Sequence, residues 1–89
     1  MTTVTLDASH DTMDAIYNTL QRELDLPAHF GRNLDALWDA LTMEVPFPVE
    51  ILWKDHASAK VKLGQDYDRL LTTLQDVENE REDFLLTLA

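Results

Sequence analysis

The chain has 89 residues, of which 45% are hydrophobic and 27% charged, and it contains no cysteine. That allows one domain with a modest core, is too apolar for a disordered chain, and excludes disulfides, cysteine-ligated zinc and cysteine nucleophiles. Seventeen acidic residues against seven basic ones give a formal charge of -10, which repels nucleic acid and anionic membranes and calls for a positively charged partner unless the acidity serves only solubility.

The elements follow in chain order. Thr3-Val4-Thr5-Leu6 alternates like a short strand. Asp11, with Thr12 competing, is placed to cap a helix carrying Met13, Ile16, Tyr17, Leu20 and Leu24 at helical spacing. Pro27 closes that region, and residues 25–32 form a loop containing Gly31. Asn33 caps the next helix, whose apolar positions Leu34, Leu37, Trp38, Leu41 and Val45 form a single stripe before Pro46 and Pro48. Val49 to Trp53 reads as a mostly buried strand. Asp55 is placed to cap a short helix ending near Gly64, and Gln65 to Glu80 reads as a longer one with Tyr67, Leu70, Leu71, Leu74 and Val77 inward. Phe84 to Leu88 is a final strand.

This order predicts an α/β fold: a small three-stranded parallel sheet packed with about four helices, the crossovers right-handed and one sheet face poorly covered. Residues 1–89 are expected to form a single domain, and the strand order stays open. No run of about 18 apolar residues is present, and Met1 to Asp7 does not resemble a secretory leader, so a cytoplasmic location is expected.

Enzyme signatures are missing. Ser9 and Ser58 lack a nucleophile-elbow context, and Gly31 and Gly64 are the only glycines, too few for a phosphate-cradling loop. His10, His29 and His56 lie in three separate segments without metal-ligand spacing, so neither a metal nor a cofactor is expected. Asp35-Ala36-Leu37 has the place of the Asp-Ser-Leu motif of acyl carrier proteins, but alanine cannot carry the prosthetic arm.

What remains is the helix after Asn33. At about 100° per residue, Leu37, Leu41 and Val45 fall within about 60° of Leu34 and form its inward face. Trp38 lies about 40° to one side, with Thr42, Asp35 and Asp39 following at about 80°, 100° and 140°. Asp35 and Asp39 are neighbours four residues apart and repel each other by a few tenths of a kcal/mol (roughly) in an isolated helix. Two close carboxylates with an aromatic at their shoulder offer a cation both a charged fork and a ring to lie against. The alternative is a solvated acidic face with Trp38 in the core.

The run Leu26-Pro27, Gly31, Asn33-Leu34-Asp35-Ala36-Leu37-Trp38-Asp39 and Leu41-Thr42 resembles the barstar family, intracellular inhibitors of barnase-like bacterial ribonucleases. The likeness continues through Val45, Pro48 and Trp53, and length and element order agree over nearly the whole chain. The resemblance implies that this helix and the loop before it enter the cleft of a basic, secreted or toxin-type ribonuclease. Asp39 would replace the substrate phosphate, and Asp35 would hold a second cation at the rim. Gly31, Asn33, Leu34, Trp38 and Thr42 would supply shape and hydrogen bonds. Asp76 would meet a further basic residue, with Glu80 a weaker candidate. His29 and Glu44 stand where the family prototype has contact aromatics, and Phe30 replaces a tyrosine, so the partner need not be barnase itself. His29 would make binding weakly pH-dependent.

A ribonuclease cleft is already cationic for catalysis, so carboxylates at phosphate spacing inherit a preorganised site. Opposite fields also steer the encounter, an effect for which the family's own nuclease–inhibitor pair is a reference system. The leading expectation is therefore an inhibitor or immunity protein, monomeric when free, with self-association only if Trp38 is exposed. An acidic adaptor of the same fold is the alternative, and a carboxylate hydrolase stands far behind.

Overall fold

A computed structural model describes residues 1–89. The order is β1 (Thr2–Leu6), α1 (Met13–Glu23), α2 (Leu34–Asp39) continuing into a π-helical turn (Ala40–Glu44), β2 (Val49–Trp53), α3 (His56–Leu63), α4 (Gln65–Glu80) and β3 (Phe84–Leu88). The three strands form one parallel sheet in the order β1-β2-β3. Val49, Ile51 and Trp53, the β-branched and aromatic residues of the strand that reads as most buried, therefore occupy the middle, fully out of solvent.

Register decides the two faces. Val4 pairs with Ile51 and Ile51 with Leu86; Leu6 pairs with Trp53 and Trp53 with Leu88. Side chains alternate along each strand, so this set turns one way, where Val4, Leu6, Ile51 and Trp53 are buried. The other set, Thr3, Thr5, Glu50, Leu52, Leu85 and Thr87, is exposed or half-buried. Glu50 ties that face across the sheet, accepting from Thr3 Oγ1 at 3.3 Å and Thr87 Oγ1 at 2.9 Å. The poorly covered face expected for so small a sheet is this one.

The helices bury their predicted stripes. Ile16, Tyr17 and Leu20 of α1 and Tyr67, Leu70, Leu74 and Val77 of α4 join the strand residues in one core cluster, with Leu71 half-buried beside it. Thr12, the competing cap, is the residue used: its Oγ1 accepts from the Ala15 N–H at 3.1 Å. Asp55 differs from expectation. It holds a left-handed backbone (φ 56°) and makes no side-chain capping bond, while its carbonyl takes the Ser58 N–H at 3.1 Å. The αL conformation turns the chain from β2 into α3, a role a short polar residue tolerates. Gly64 (φ 59°, ψ -126°) joins α3 directly to α4 in a conformation side chains rarely adopt. No helix is long and apolar enough to cross a membrane.

Candidate functional site

The loop before α2 is anchored on α1. Phe30 is buried and meets Tyr17 edge-on, ring centroids 5.9 Å apart. Arg32 has a left-handed backbone (φ 52°) and lies 5.8 Å from the Tyr17 ring centroid. Its Nη2 donates to the Asp14 carboxylate at 2.7 Å and the Asp14 carbonyl at 3.2 Å, and its Nη1 to Gln21 Oε1 at 3.3 Å. Asn33 then opens the helix as predicted: Oδ1 accepts from the Ala36 N–H at 2.8 Å, and Nδ2 donates to the Gly31 carbonyl at 3.2 Å. That fold-back explains Gly31, where a Cβ would stand 3.2 Å from Asn33 Nδ2 and 3.3 Å from the Ala36 methyl.

The helix departs from a uniform α-helix. At Ala40 it widens into a π turn, in which the Val45 N–H reaches the Ala40 carbonyl at 3.1 Å. Ala40, which the apolar stripe does not include, is buried together with Leu37 and Leu41. The buried sector is thereby rotated away from Leu34 and Trp38, which are both half-buried against the edge of the core rather than centred on it. An alanine is too small and too ambiguous in polarity to mark this in a periodicity count.

Asp35 and Asp39 are both exposed. They do not share one recess. Asp39 lines a shallow hollow of about 150 Å³ with His29, Gly31 and Glu44. Asp35, one turn earlier, borders a different recess, where Asn33, Leu34 and, from α4, Arg69 line a depression of about 480 Å³. Leu34, Asp35 and Arg69 continue it along α4 to Thr72 and Thr73. Asp76 lines neither recess and is exposed about one turn beyond those threonines; Glu80 is exposed a further turn on.

Two expected contact residues have local tasks. Both ends of the Asn33 amide serve its own loop and helix, and Thr42 Oγ1 donates back to the Trp38 carbonyl at 2.7 Å. Met43 escapes a reading based on the inward stripe, yet it is 71% exposed and sits four residues after Asp39 on the outward side. An apolar residue off the stripe, beside the acids, is the signal that would have found it.

The whole chain, residues 1–89, matches the family model Barstar (barnase inhibitor). The chain belongs to the barstar family. It is also 34% identical over 73 residues to the Bacillus subtilis (strain 168) protein named "Putative ribonuclease inhibitor YrdF", an alignment covering 82% of this chain and 80% of that one. Barstar-family membership agrees with the parallel α/β sheet and with the capped, acid-bearing helix. On α2 the Asp35 and Asp39 carboxylates are open to solvent, while Trp38 is half-buried against the core.

Proposed function

We propose that this barstar-family chain is an inhibitor, and not itself an enzyme, that occupies the active site of a barnase-like bacterial ribonuclease in place of RNA. Asp39 takes the position of a substrate phosphate among the nuclease's cationic groups. Asp35 meets a second cation one turn earlier on α2, and Asp76 a third along α4. The observation that carries this reading is the exposure of Asp35 and Asp39 on a helix whose start is fixed by the Asn33 cap and whose preceding loop is stapled by Arg32.

Preorganisation matters because a partner then loses little free energy in ordering the loop. The loop cation Arg32 is already paired with Asp14, and while Arg69 of α4 lines the depression beside Asp35, the hollow beside Asp39 holds no lysine or arginine, so the negative field around Asp39 is left to the partner. Met43 supplies apolar area next to Glu44, where the family prototype has an aromatic contact. The protein acts in the cytoplasm, as self-protection against a secreted enzyme or as immunity against a delivered toxin.

Titration into assays of barnase-like ribonucleases tests the reading. Stoichiometric loss of RNA cleavage is expected with the wild-type chain, and a weakening of about 3–5 kcal/mol with Asp39→Ala, the cost of leaving a desolvated charge without its partner. Full nuclease activity at saturating inhibitor would refute it and favour an acidic adaptor with a different basic partner.

A further inference from the structure

The structure assigns Arg81 the role of positioning the C-terminal half of the partner-facing helix, an inference that rests on the inhibitor reading above. In the sequence Arg81 is flanked by Glu80 and Glu82. Its side chain is in fact only 12% exposed, and all five of its guanidinium N–H groups have acceptors. Nη1 donates to the Leu41 and Val45 carbonyls, both at 2.8 Å. Nη2 donates to the Phe47 carbonyl at 3.0 Å and to Asp83 Oδ2 at 2.8 Å, and Nε to Asp83 Oδ1 at 2.8 Å. A guanidinium has five donors in a fixed fork, and none is left over.

The reason lies in the π turn. In a regular α-helix the Val45 N–H would close on the Leu41 carbonyl; here it donates to Ala40. The next residue is Pro46, which has no N–H to offer. The widened turn thus releases the Leu41 carbonyl from the helical ladder, and a buried carbonyl without a donor is costly. Arg81 supplies the donor from the far end of the chain and adds positive charge at a helix C-terminus, where the dipole favours it. Asp83 completes the clamp, because its carboxylate orients the fork while its carbonyl accepts from the Val49 N–H at 3.0 Å at the start of β2.

Thr42, Met43 and Glu44 sit inside the clamped turn, between the Leu41 and Val45 carbonyls. Their presentation to a ribonuclease, and that of Asp39 just before them, is set by a residue that touches no partner. Loss of the clamp loosens the turn and shortens the lifetime of the complex, while long-range steering, which depends on net field, is not weakened, because removing an arginine leaves the chain more negative.

The test compares wild type, Arg81→Met and Arg81→Lys as full chains. Amide hydrogen exchange is measured on the free proteins, and association and dissociation rates on a barnase-like ribonuclease that the wild type inhibits in the same series. Arg81→Met is expected to raise exchange at Glu44 and Val45 by about tenfold or more, the scale of a lost charged hydrogen bond. Protection in β2 should be retained, and dissociation should accelerate by about tenfold with association not slowed. Arg81→Lys, which keeps the charge without the fork, should recover part of both effects, and it carries the comparison if the methionine variant does not fold. Unchanged exchange in the turn overturns the clamp; faster exchange with wild-type dissociation overturns its role in positioning. If the wild type spares every such nuclease, the inhibitor reading falls, and the exchange data still decide whether Arg81 holds the turn.

Discussion

Arg32 Nη2 lies 2.7 Å from the Asp14 carboxylate, joining the loop before α2 to the first turn of α1. Asp14 is 80% exposed, so the ion pair itself is worth at most about 1 kcal/mol. The backbone tells more. At φ 52° a side chain with a Cβ is strained, and Arg32 accepts that conformation while bound to Asp14, Gln21 and the face of Tyr17.

Arg32→Ala is therefore expected to lower stability more than Arg32→Gly, by about 1 kcal/mol, reversing the usual order of the two residues. Both variants lose the staple, and only alanine keeps the strain. Urea denaturation of the three proteins checks this; a glycine variant less stable than the alanine one would show that no strain is stored there.

Because Asp35 and Asp39 open onto separate depressions, each is expected to meet its own cation on the ribonuclease. The losses of binding free energy in Asp35→Ala and Asp39→Ala should then nearly add in the double variant, within about 0.5 kcal/mol. A single guanidinium gripped by both carboxylates would instead give a coupling of roughly 1–3 kcal/mol. A double-mutant cycle by calorimetry separates the two arrangements.

Much of this architecture was legible in the residues. Val49 to Trp53, Gln65 to Glu80 and Phe84 to Leu88 coincide with the observed elements, because strong apolar periodicity and clear breakers at Pro48 and Gly64 bound them. The Asn33 cap and the outward position of the two acids also follow from spacing alone. Strand order did not, since three parallel strands joined by helices can be arranged in several ways and local sequence carries no term for the choice. The π turn was hidden for a related reason: what permits it is a hydrogen-bond donor about forty residues away at Arg81, and without that partner the same sequence reads as continuous α-helix. Nothing in the local sequence marks Arg81, between Glu80 and Glu82, as a clamp; only tertiary structure distinguishes it from Arg69 of α4.

Asp83 gives the protein an acid-sensitive joint. The hydrogen bonds from Arg81, with its positive charge, hold the Asp83 carboxyl below the usual aspartate range. A carboxyl whose folded pKa is depressed adds stability that is fully present above its unfolded pKa and disappears as pH falls through the folded one. The stabilisation is thus intact at neutral pH and lost in acid, below the pH where an ordinary aspartate titrates. Asp83→Asn should flatten this part of the stability–pH curve while leaving Asp7, lowered mainly by hydrogen bonding from Ser9, to contribute its own decline. Urea midpoints across the acid range, wild type against variant, measure it; parallel curves would mean that Asp83 contributes nothing to the pH dependence.

Met43→Ala tests the apolar part of the proposed contact. With 71% of the residue exposed in the free protein, truncation should leave folding stability nearly unchanged and weaken ribonuclease binding by about 1 kcal/mol. Equal loss of stability and affinity would instead assign Met43 to the packing of the π turn.

The claim at the centre is that Asp39 occupies the nuclease's phosphate site. Competition with a small ligand of that site measures this most directly: the apparent Kd of the wild-type complex is determined at increasing concentrations of a guanosine monophosphate bound to the ribonuclease. Mutually exclusive binding predicts an apparent Kd that rises in proportion to nucleotide once the site is saturated. A Kd that does not change with nucleotide would place the inhibitor elsewhere on the enzyme and contradict the account.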